Sequence, residues 1–537
     1  MKLVTVSEMQ AIERQADASG HTYSQMMEHA GSGLAAVVAK ECAGLKDGGI
    51  LGLVGSGNNG GDTLVALAIL AEQGWQATAF LVRSRLIDDP LIQRLEKIGG
   101  RIFRQTENAT YTQLASLISE NAVILDGVLG TGIQLPLKPE LAEIFSFIRN
   151  NIQNLKSQPF IVAVDCPSGI DCDTGAAASQ SIPANLTVTM AAVKQGLLKL
   201  PAYELIGTLR VVGIGLPAEG TKLPAWQAIQ RFVPDHDWVR QVLPPRPLSA
   251  HKGTFGTALI IAGSLPYTGA VLLAGEAAYR AGAGLVTLAV PEPLHTALAG
   301  HLTAATWLSL PQEAGFIVAE AADDIAKNLE RPTALLIGPG LGVEDTTYQF
   351  VARLLSDPIP TTMGFIQTTA ASRIKLPPLV VDADGLKLMA RLPRWHEFVP
   401  PETILTPHPG EMSILTGLST SEIQGDRLGS AERYSREWGH IVILKGAFTI
   451  IAAPDGRTAV IPVATPALAR AGTGDVLAGL IVGLRAQGVP GFEAAVAGAW
   501  IHAQAGLHAL EQVGNSASVL AGDVLKATIH IINKLSR

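Results

Sequence analysis

The feature that most limits what this chain can fold into is a repeated alternation. Short apolar runs, each closed by glycine or a polar cluster, are separated by segments whose apolar residues recur at helical spacing. In the first half the runs are Leu51–Val54, Ala77–Val82, Ala122–Leu125, Phe160–Val164 and Leu209–Val212. Runs of this kind suit strands covered on both faces, as in a parallel sheet wrapped by helices. Met26, Met27, Ala30, Leu34, Val37 and Val38 repeat at helical spacing and predict one of the covering helices. The expected fold class is therefore α/β, with a Rossmann-like, doubly wound sheet in the first half.

A chain of 537 residues exceeds one hydrophobic core, since single cores stop growing near about 250–300 residues. The alternation fails across PAEGTKLPAW and LPPRP, a proline-rich stretch without periodicity. It restarts with HKGTFGTALIIAG and continues through Leu285–Val290, Ala334–Ile337, Leu379–Val381, Thr403–Leu405 and Ile441–Leu444. The expected organisation is a first domain over 1–222, a linker over 223–247 and a second α/β domain over 248–537.

Charge and cysteine content exclude several classes. A formal charge of -7 offers no electrostatic basis for nucleic-acid or membrane-surface binding. Any phosphate-bearing ligand must be held by local groups. No apolar stretch approaches the ~18 residues of a spanning helix. The charges at Glu8, Glu13, Arg14 and Asp17 do not fit an export signal. Cys42, Cys166 and Cys172 form no CxxC pair and fit free thiols in a reducing cytoplasm. A homo-oligomer is expected, with no particular number of copies.

In open α/β sheets ligands bind beyond the carboxyl ends of the strands. Three polar clusters stand there in the first half. Gly55-Ser56-Gly57-Asn58-Asn59-Gly60-Gly61-Asp62 follows Leu51–Val54; Asp126 and Gly130-Thr131-Gly132 follow Ala122–Leu125; Asp165-Cys166-Pro167-Ser168-Gly169 follows Phe160–Val164. Gly55, Gly57 and Gly60 match GxGxxG, the mark of an intact-dinucleotide site. Asp62 stands against that reading, because it adds negative charge where a pyrophosphate would rest; Arg83 and Arg85 keep open a site that reads a 2′-phosphate. The alternative gathers the oxygens of Asn58, Asn59, Asp126 and Ser168 around a hard, weakly charged cation and a polar substrate. The same residue types also cap helices and form turns.

YSQMMEHAG, VGSGNNGGD, LDGVLGTG, VAVDCPSGI, VKQGLL and GIGLP, in this order over nearly all of 1–220, resemble the NAD(P)H-hydrate epimerase family. The resemblance implies that Asn58, Asn59, Gly60, Gly61, Asp62, Gly130, Thr131, Gly132, Ile133, Gln134, Leu135, Pro136 and Asp165 contact hydrated NADH or NADPH (NADHX, NADPHX). It further implies that Asn59, Asp126 and Ser168 hold a potassium ion (K+). Thr63 departs from the glycine common in the family, so substrate fit there is expected to differ. Epimerisation at C6 of the hydrated ring needs a carboxylate that moves a proton, and Asp165 is the candidate.

In the second half Ala469-Arg470-Ala471-Gly472-Thr473-Gly474-Asp475 leads into VLAGLIVGL. Backbone N–H groups at such a glycine-rich helix start form an anion site, and Asp475 is placed to take a proton from an attacking hydroxyl. The plainer alternative makes Thr473 an N-cap and Asp475 a first-turn acid that offsets the helix dipole. Lys445-Gly446-Ala447-Phe448-Thr449 follows a buried run, and His408 lies between Pro407 and Pro409 in a stiffened loop.

HKGTFGTALIIAGS, YTGAVLLAGEAAYRAGAGLVT, IGPGLG, VVDADGL, LTPHPGEM, ILKGAFT and AGTGDVLAG resemble, over about 250–530, the ribokinase-like ADP-dependent NAD(P)H-hydrate dehydratase family. The resemblance implies that Ala270, Gly340, His408 and Asp475 contact the hydrated nucleotide, and that Lys445, Gly446, Ala447, Phe448, Thr449 and Gly474 contact ADP. Magnesium (Mg2+) is implied with the ADP, without assigned ligands. Arg470 replaces an asparagine common in the family, with no loss of activity expected. AGTGD alone also suits a small-molecule kinase, and a non-catalytic nucleotide sensor is the rival from another class.

Overall fold

Strand Ile50–Val54 is buried at every position, because it lies in the interior of a seven-stranded sheet with helices on its faces. The strand order is Arg101–Arg104, Ala77–Leu81, Ile50–Val54, Val123–Gly127, Phe160–Val164, Leu186–Met190, Thr208–Val212, and every neighbouring pair is parallel. Chain order reverses between Ile50–Val54 and Val123–Gly127, which opens a crevice beyond their carboxyl ends. This computed structural model describes residues 1–86, 88–105, 110–216, 223–356, 362–363, 366–367 and 374–536. The PAEGTK stretch at 217–222 lies outside the described residues.

The chain divides into two units, Met1–Phe232 and Val233–Arg537. In the first, helices Val6–Ala18 and Tyr23–Glu41 each begin with a reciprocal capping box, Thr5 with Glu8 and Thr22 with Gln25. Helix Tyr23–Glu41 buries Met26, Ala30, Leu34 and Val38, the stripe its spacing predicts. Strand Leu186–Met190 does not read as an apolar run because of Thr187 and Thr189. It is nonetheless fully buried: Thr187 Oγ1 donates to the Ile206 carbonyl at 2.7 Å and Thr189 Oγ1 to Asp165 Oδ1 at 3.0 Å. Paired hydroxyls can be buried at little cost. The sequence reading places Asp126 after its strand; the strand runs on to Gly127, and Asp126 lies within it opposite Leu53.

In the second unit the strands follow the order Thr458–Val460, Ile450–Ala452, Ile441–Leu444, Ile404–Leu405, Leu379–Val381, Ala334–Ile337, Thr257–Ile261, Leu285–Pro291, Thr306–Leu310. From Ile441–Leu444 to Thr306–Leu310 the sheet is parallel, and the first two strands close it as an antiparallel edge. The α/β class expected for both halves is found. Of the stretch expected as a linker, Pro224–Ala228 and His236–Val242 are helical. Among the described residues no helix is long and apolar enough to cross a membrane.

Helix Thr473–Ala486 packs against helix Gly269–Ala281 through small residues. A Cβ added at Gly479 would stand 2.3 Å from the Ala274 carbonyl oxygen, and one at Gly483 2.6 Å from that of Ala278. The close approach sets where the glycine-rich start of the first helix sits, so packing here bears on the site. Gly479→Ala is expected to destabilise the unit by about 1–3 kcal/mol through overpacking, although alanine is the better helix former. Gly522→Ala, where nothing lies within 4 Å of an added Cβ, is expected to be neutral or to stabilise by up to about 1 kcal/mol. Urea denaturation of the two variants checks the contrast.

Candidate active sites

The crevice of the first unit is a cavity of about 500 Å³ lined by Asn58, Asn59, Asp62, Gly130, Thr131, Gly132, Ile133 and Asp165, together with Glu13, Tyr23, Arg83 and Lys194. Glycine permits the close packing behind this lining. A Cβ at Gly55 would lie 2.0 Å from the Val128 carbonyl oxygen, and one at Gly60 2.0 Å from that of Gly55. Backbone therefore packs on backbone beneath helix Asn58–Glu72, whose N-cap Gly57 carries no side-chain cap. The residues at its start, Ser56 to Asn59, line the crevice.

Asp165 sits at φ 64, a left-handed conformation uncommon for a residue with a side chain. What holds it is a set of donors on one oxygen: Thr189 Oγ1 and Met190 N–H, each at 3.0 Å, and the Lys194 ammonium, all on Oδ1. Lys194 is 1% exposed and also donates to the Met190 carbonyl at 2.9 Å. Among the described residues nothing donates to Oδ2. Lys194 was not singled out in the sequence, where a lysine after a strand-like segment looks like any surface lysine.

Asp126 is 1% exposed and accepts from Ser168 Oγ at 2.6 Å and Ser168 N–H at 2.8 Å. Burial raises its pKa, and the hydrogen bonds from Ser168 work against that rise. No cationic side chain among the described residues pairs with it. The Asn59 amide donates to the carbonyls of Leu129 and Val164 at 3.0 and 2.6 Å. These contacts bring Asn59, Asp126 and Ser168 into one oxygen-rich nest under the cavity. Thr63 does not face the substrate side. It is fully buried, donates to the Asn59 carbonyl at 2.7 Å and packs on Gly127, where a Cβ would meet its Oγ1 at 1.8 Å. The expected effect of Thr63 on substrate fit is therefore corrected: its hydroxyl bonds one turn back within its own helix and its side chain packs against strand Val123–Gly127. Gly60, Gly61, Gln134, Leu135 and Pro136 are not among the lining residues.

The second unit carries a cavity of about 470 Å³ lined by His408, Lys445, Gly446, Ala447, Thr449, Thr473, Gly474 and His502. Helix Thr473–Ala486 starts from Gly472 at φ 89, so the N-cap is Gly472; Thr473 Oγ1 instead donates to the carbonyls of Leu468 and Arg470 at 2.9 and 2.8 Å. Lys445 Nζ donates to Asp382 Oδ1 at 2.7 Å and lies 3.6 Å from Glu411. Burial works to lower the pKa of Lys445, and Asp382 and Glu411 outweigh it and raise it. A Cβ at Gly474 would stand 3.6 Å from Lys445 Nζ and 3.9 Å from Asp382 Oδ2, so the helix start abuts this ion pair. The Asp475 carboxyl is pushed up to about 7 by burial, then by Asp382 and Asp384, against the opposing pull of Lys445.

His408 caps helix Pro409–Thr416: its Nδ1 accepts from the N–H groups of Gly410 and Glu411 at 3.0 and 3.2 Å. Gly340, at φ 64, lies against Tyr267 and Ala270, and Ser264 Oγ donates to its carbonyl at 2.8 Å. The Phe448 side chain is buried and does not line the cavity, and neither do Ala270, Gly340 and Asp475. The Arg470 guanidinium reaches the Ala517 carbonyl. Sequence reasoning missed Asp382 and His502. Asp382 carried the available signal, a carboxylate directly after strand Leu379–Val381. His502 lies mid-helix, and burial lowers its pKa to about 4.

Two α/β units, each with a glycine-rich helix start and an aspartate–lysine pair at its cavity, define an enzyme with two active sites that handle anionic small molecules. Residues 258–530 match the family model described as NAD(P)H-hydrate dehydratase, and residues 23–196 match that of the YjeF-related protein N-terminus. The bifunctional NAD(P)H-hydrate repair enzyme Nnr of Moorella thermoacetica is 36% identical over 100% of this chain and 97% of its own length. That of Salinibacter ruber is 35% identical over 92% of this chain and 90% of its own. The ADP/ATP-dependent NAD(P)H-hydrate dehydratase of Bacillus subtilis, solved with ATP/Mg2+, is 29% identical, covering 56% of this chain and 97% of that one at a TM-score of 0.46. The chain belongs to the family of bifunctional NAD(P)H-hydrate repair enzymes.

Removing one partner of a buried ion pair leaves the other charge uncompensated, at a cost of about 3–5 kcal/mol. Lys194→Met is expected to lower the stability of the first unit by that order, and adding Asp165→Asn to recover most of it. Thermal melts of the single and double variants test the pair; equal loss in both would mean that packing of the lysine stem, and not its charge, carries the effect.

Proposed function

We propose that the chain repairs hydrated NADH and NADPH in two steps: the first unit interconverts the R and S epimers, and the second dehydrates the S epimer with ADP. The epimerase is assigned to 1–222, the linker to 223–247 and the dehydratase to 248–537. The observation that carries the reading is Asp475 in the first turn of a glycine-started helix, its carboxyl raised to about 7 beside the Lys445–Asp382 pair. A group that must accept a proton at neutral pH works best with a pKa near that pH.

Hydroxide leaves poorly, so the C6 hydroxyl of the substrate is first converted to a phosphate ester. Asp475 takes the hydroxyl proton while the oxygen attacks the β-phosphorus of ADP, and AMP departs. The N–H groups of Gly474 and Asp475 hold the moving phosphoryl, and Lys445 to Thr449 hold the nucleotide, with Lys445 balancing its charge. The ring-nitrogen lone pair then expels phosphate and C5 loses a proton, which yields NAD(P)H. Ala270, Gly340 and His408 are assigned to the hydrated nucleotide.

Among the described residues no group of three or more His, Cys, Asp or Glu is placed to hold a metal ion. Magnesium keeps several waters and binds phosphate oxygens in preference to an all-protein cage; bound to the nucleotide, it would spread the phosphate charge. Potassium fits the first unit. Asp126 is a buried carboxylate with no cationic partner among the described residues and bonds to Ser168, while Asn59 and the Leu129 and Val164 carbonyls it bonds offer the neutral oxygens a weakly charged ion prefers. In the same site Asn58 to Asp62, Gly130 to Pro136 and Asp165 are assigned to the substrate. The buried free thiols of Cys42, Cys166 and Cys172 support a reducing compartment such as the cytoplasm.

Mixed epimers given ADP, magnesium and potassium should be consumed completely, with AMP and phosphate released and reduced-nicotinamide absorbance recovered. A stable phosphorylated alcohol would instead identify a kinase. Replacing potassium by a bulky organic cation should slow loss of the R epimer alone, and Asp126→Asn should remove that dependence. The dehydration rate should rise with pH through about 7 as Asp475 ionises. Asp382→Asn removes a like charge and frees Lys445 for Asp475, so the rising limb should move to lower pH; an unmoved limb would sever Asp475 from that control.

A further inference from the structure

Asp62 is the outlier of the first cavity. It is 7% exposed and lines the cavity from helix Asn58–Glu72. Helical side chains lean toward the N-terminus of their helix, which here carries the carboxyl toward the glycine-rich start and the substrate space. Asp165 receives three donors; among the described residues no donor meets the Asp62 carboxyl. The charged and titratable groups around it are Asp165, Lys194, Tyr23 and Arg83 at the lining, and Glu13 from helix Val6–Ala18. Lys194 is committed to Asp165. A buried carboxyl without a donor or a cation of its own is held in the neutral, proton-bearing form. Burial, Asp165 and Glu13 together push its pKa well above the usual carboxylate range, against a smaller opposing effect of Lys194.

We propose that Asp62 is the proton donor of the first site, the acid that works against Asp165 as base. The assignment rests on the epimerase reading of this unit and deepens it. C6 of the substrate carries both a hydroxyl and the ring nitrogen, so it inverts by opening and reclosing the ring. Asp165 Oδ2 takes the hydroxyl proton, the oxygen pair closes to a carbonyl, and the C6–N1 bond breaks with its electrons on N1. N1 takes the proton of Asp62. Rotation about C5–C6 presents the other carbonyl face; N1 attacks it, the N1 proton returns to Asp62, and Asp165 returns its proton to the oxygen. No atom is lost, and nothing is oxidised or reduced. Environments that separate two carboxyls in pKa within one cavity are how one site supplies both an acid and a base.

The test measures epimerisation and dehydration separately on the same full-length chain with potassium present. Asp62→Asn should lower the epimerisation kcat by about 100-fold or more, with KM and equilibrium binding of NADPH within about threefold and dehydration at the wild-type rate. The wild-type epimerisation rate should fall as pH rises through the Asp62 pKa, and the variant should lack that falling limb. Asp62→Glu retains an acid and guards against misfolding of the first variant: partial recovery of kcat with a displaced limb supports the role. Wild-type kcat in Asp62→Asn, or a raised KM at unchanged kcat, overturns it, as does Asp62→Glu that binds NADPH yet stays as slow as Asp62→Asn. A wild-type chain that does not interconvert the epimers overturns the epimerase reading together with this assignment; an active wild type with a fully active Asp62→Asn overturns the assignment alone.

Discussion

A carboxylate taken out of water must be compensated, and both units of this enzyme are arranged around that requirement. Each unit places an aspartate directly after a central strand and meets it with a lysine, fully buried in the first case and half-buried in the second: Asp165 with Lys194, and Asp382 with Lys445. Each also keeps a second carboxyl on its glycine-started helix, Asp62 and Asp475, whose pKa is driven up by burial and by a like charge, Asp165 for the first and Asp382 for the second. The lysine is occupied by the first acid, so the second is left to carry a proton or to accept one near neutral pH. Asp126 is the variation on this theme. It has hydrogen bonds from Ser168 and, among the described residues, no lysine.

Sterics make these electrostatics possible. Gly55 and Gly60 let one backbone lie on another where a methyl group would collide. Main chain therefore packs on main chain behind the start of helix Asn58–Glu72, which lines the first cavity through Asn58, Asn59 and Asp62. Gly479 and Gly483 do the equivalent at a distance in the second unit. By bringing helix Thr473–Ala486 close to helix Gly269–Ala281, they set the position of Gly474 beside the Lys445–Asp382 pair. Interiors are close-packed, so such an approach has one solution. A change of a single methylene in the helix interface is transmitted to the site.

Thr63 shows how a buried hydroxyl is accommodated. Its extra atoms fill space against Gly127 and its hydroxyl is satisfied by the Asn59 carbonyl. Thr63 thus steadies Asn59 from behind, away from the residues that line the cavity. His408 is a comparable case, since its ring nitrogen caps the helix that carries Glu411, which in turn faces Lys445.

The apolar runs, the clusters after them and the glycine-rich helix starts are local in sequence, and they were enough to indicate two α/β units and to select Asn59, Asp126, Asp165, Lys445 and Asp475. Strand burial and helix capping act over a few residues, so their signals survive in the chain itself. Strand Leu186–Met190 escaped notice because its threonines look polar until their distant partners, the Ile206 carbonyl and Asp165, are known. Lys194, Asp382 and the acid character of Asp62 escaped for the same reason. A lysine or an aspartate reads alike whether it faces solvent or a buried opposite charge, and its protonation is decided by groups that only folding brings within reach.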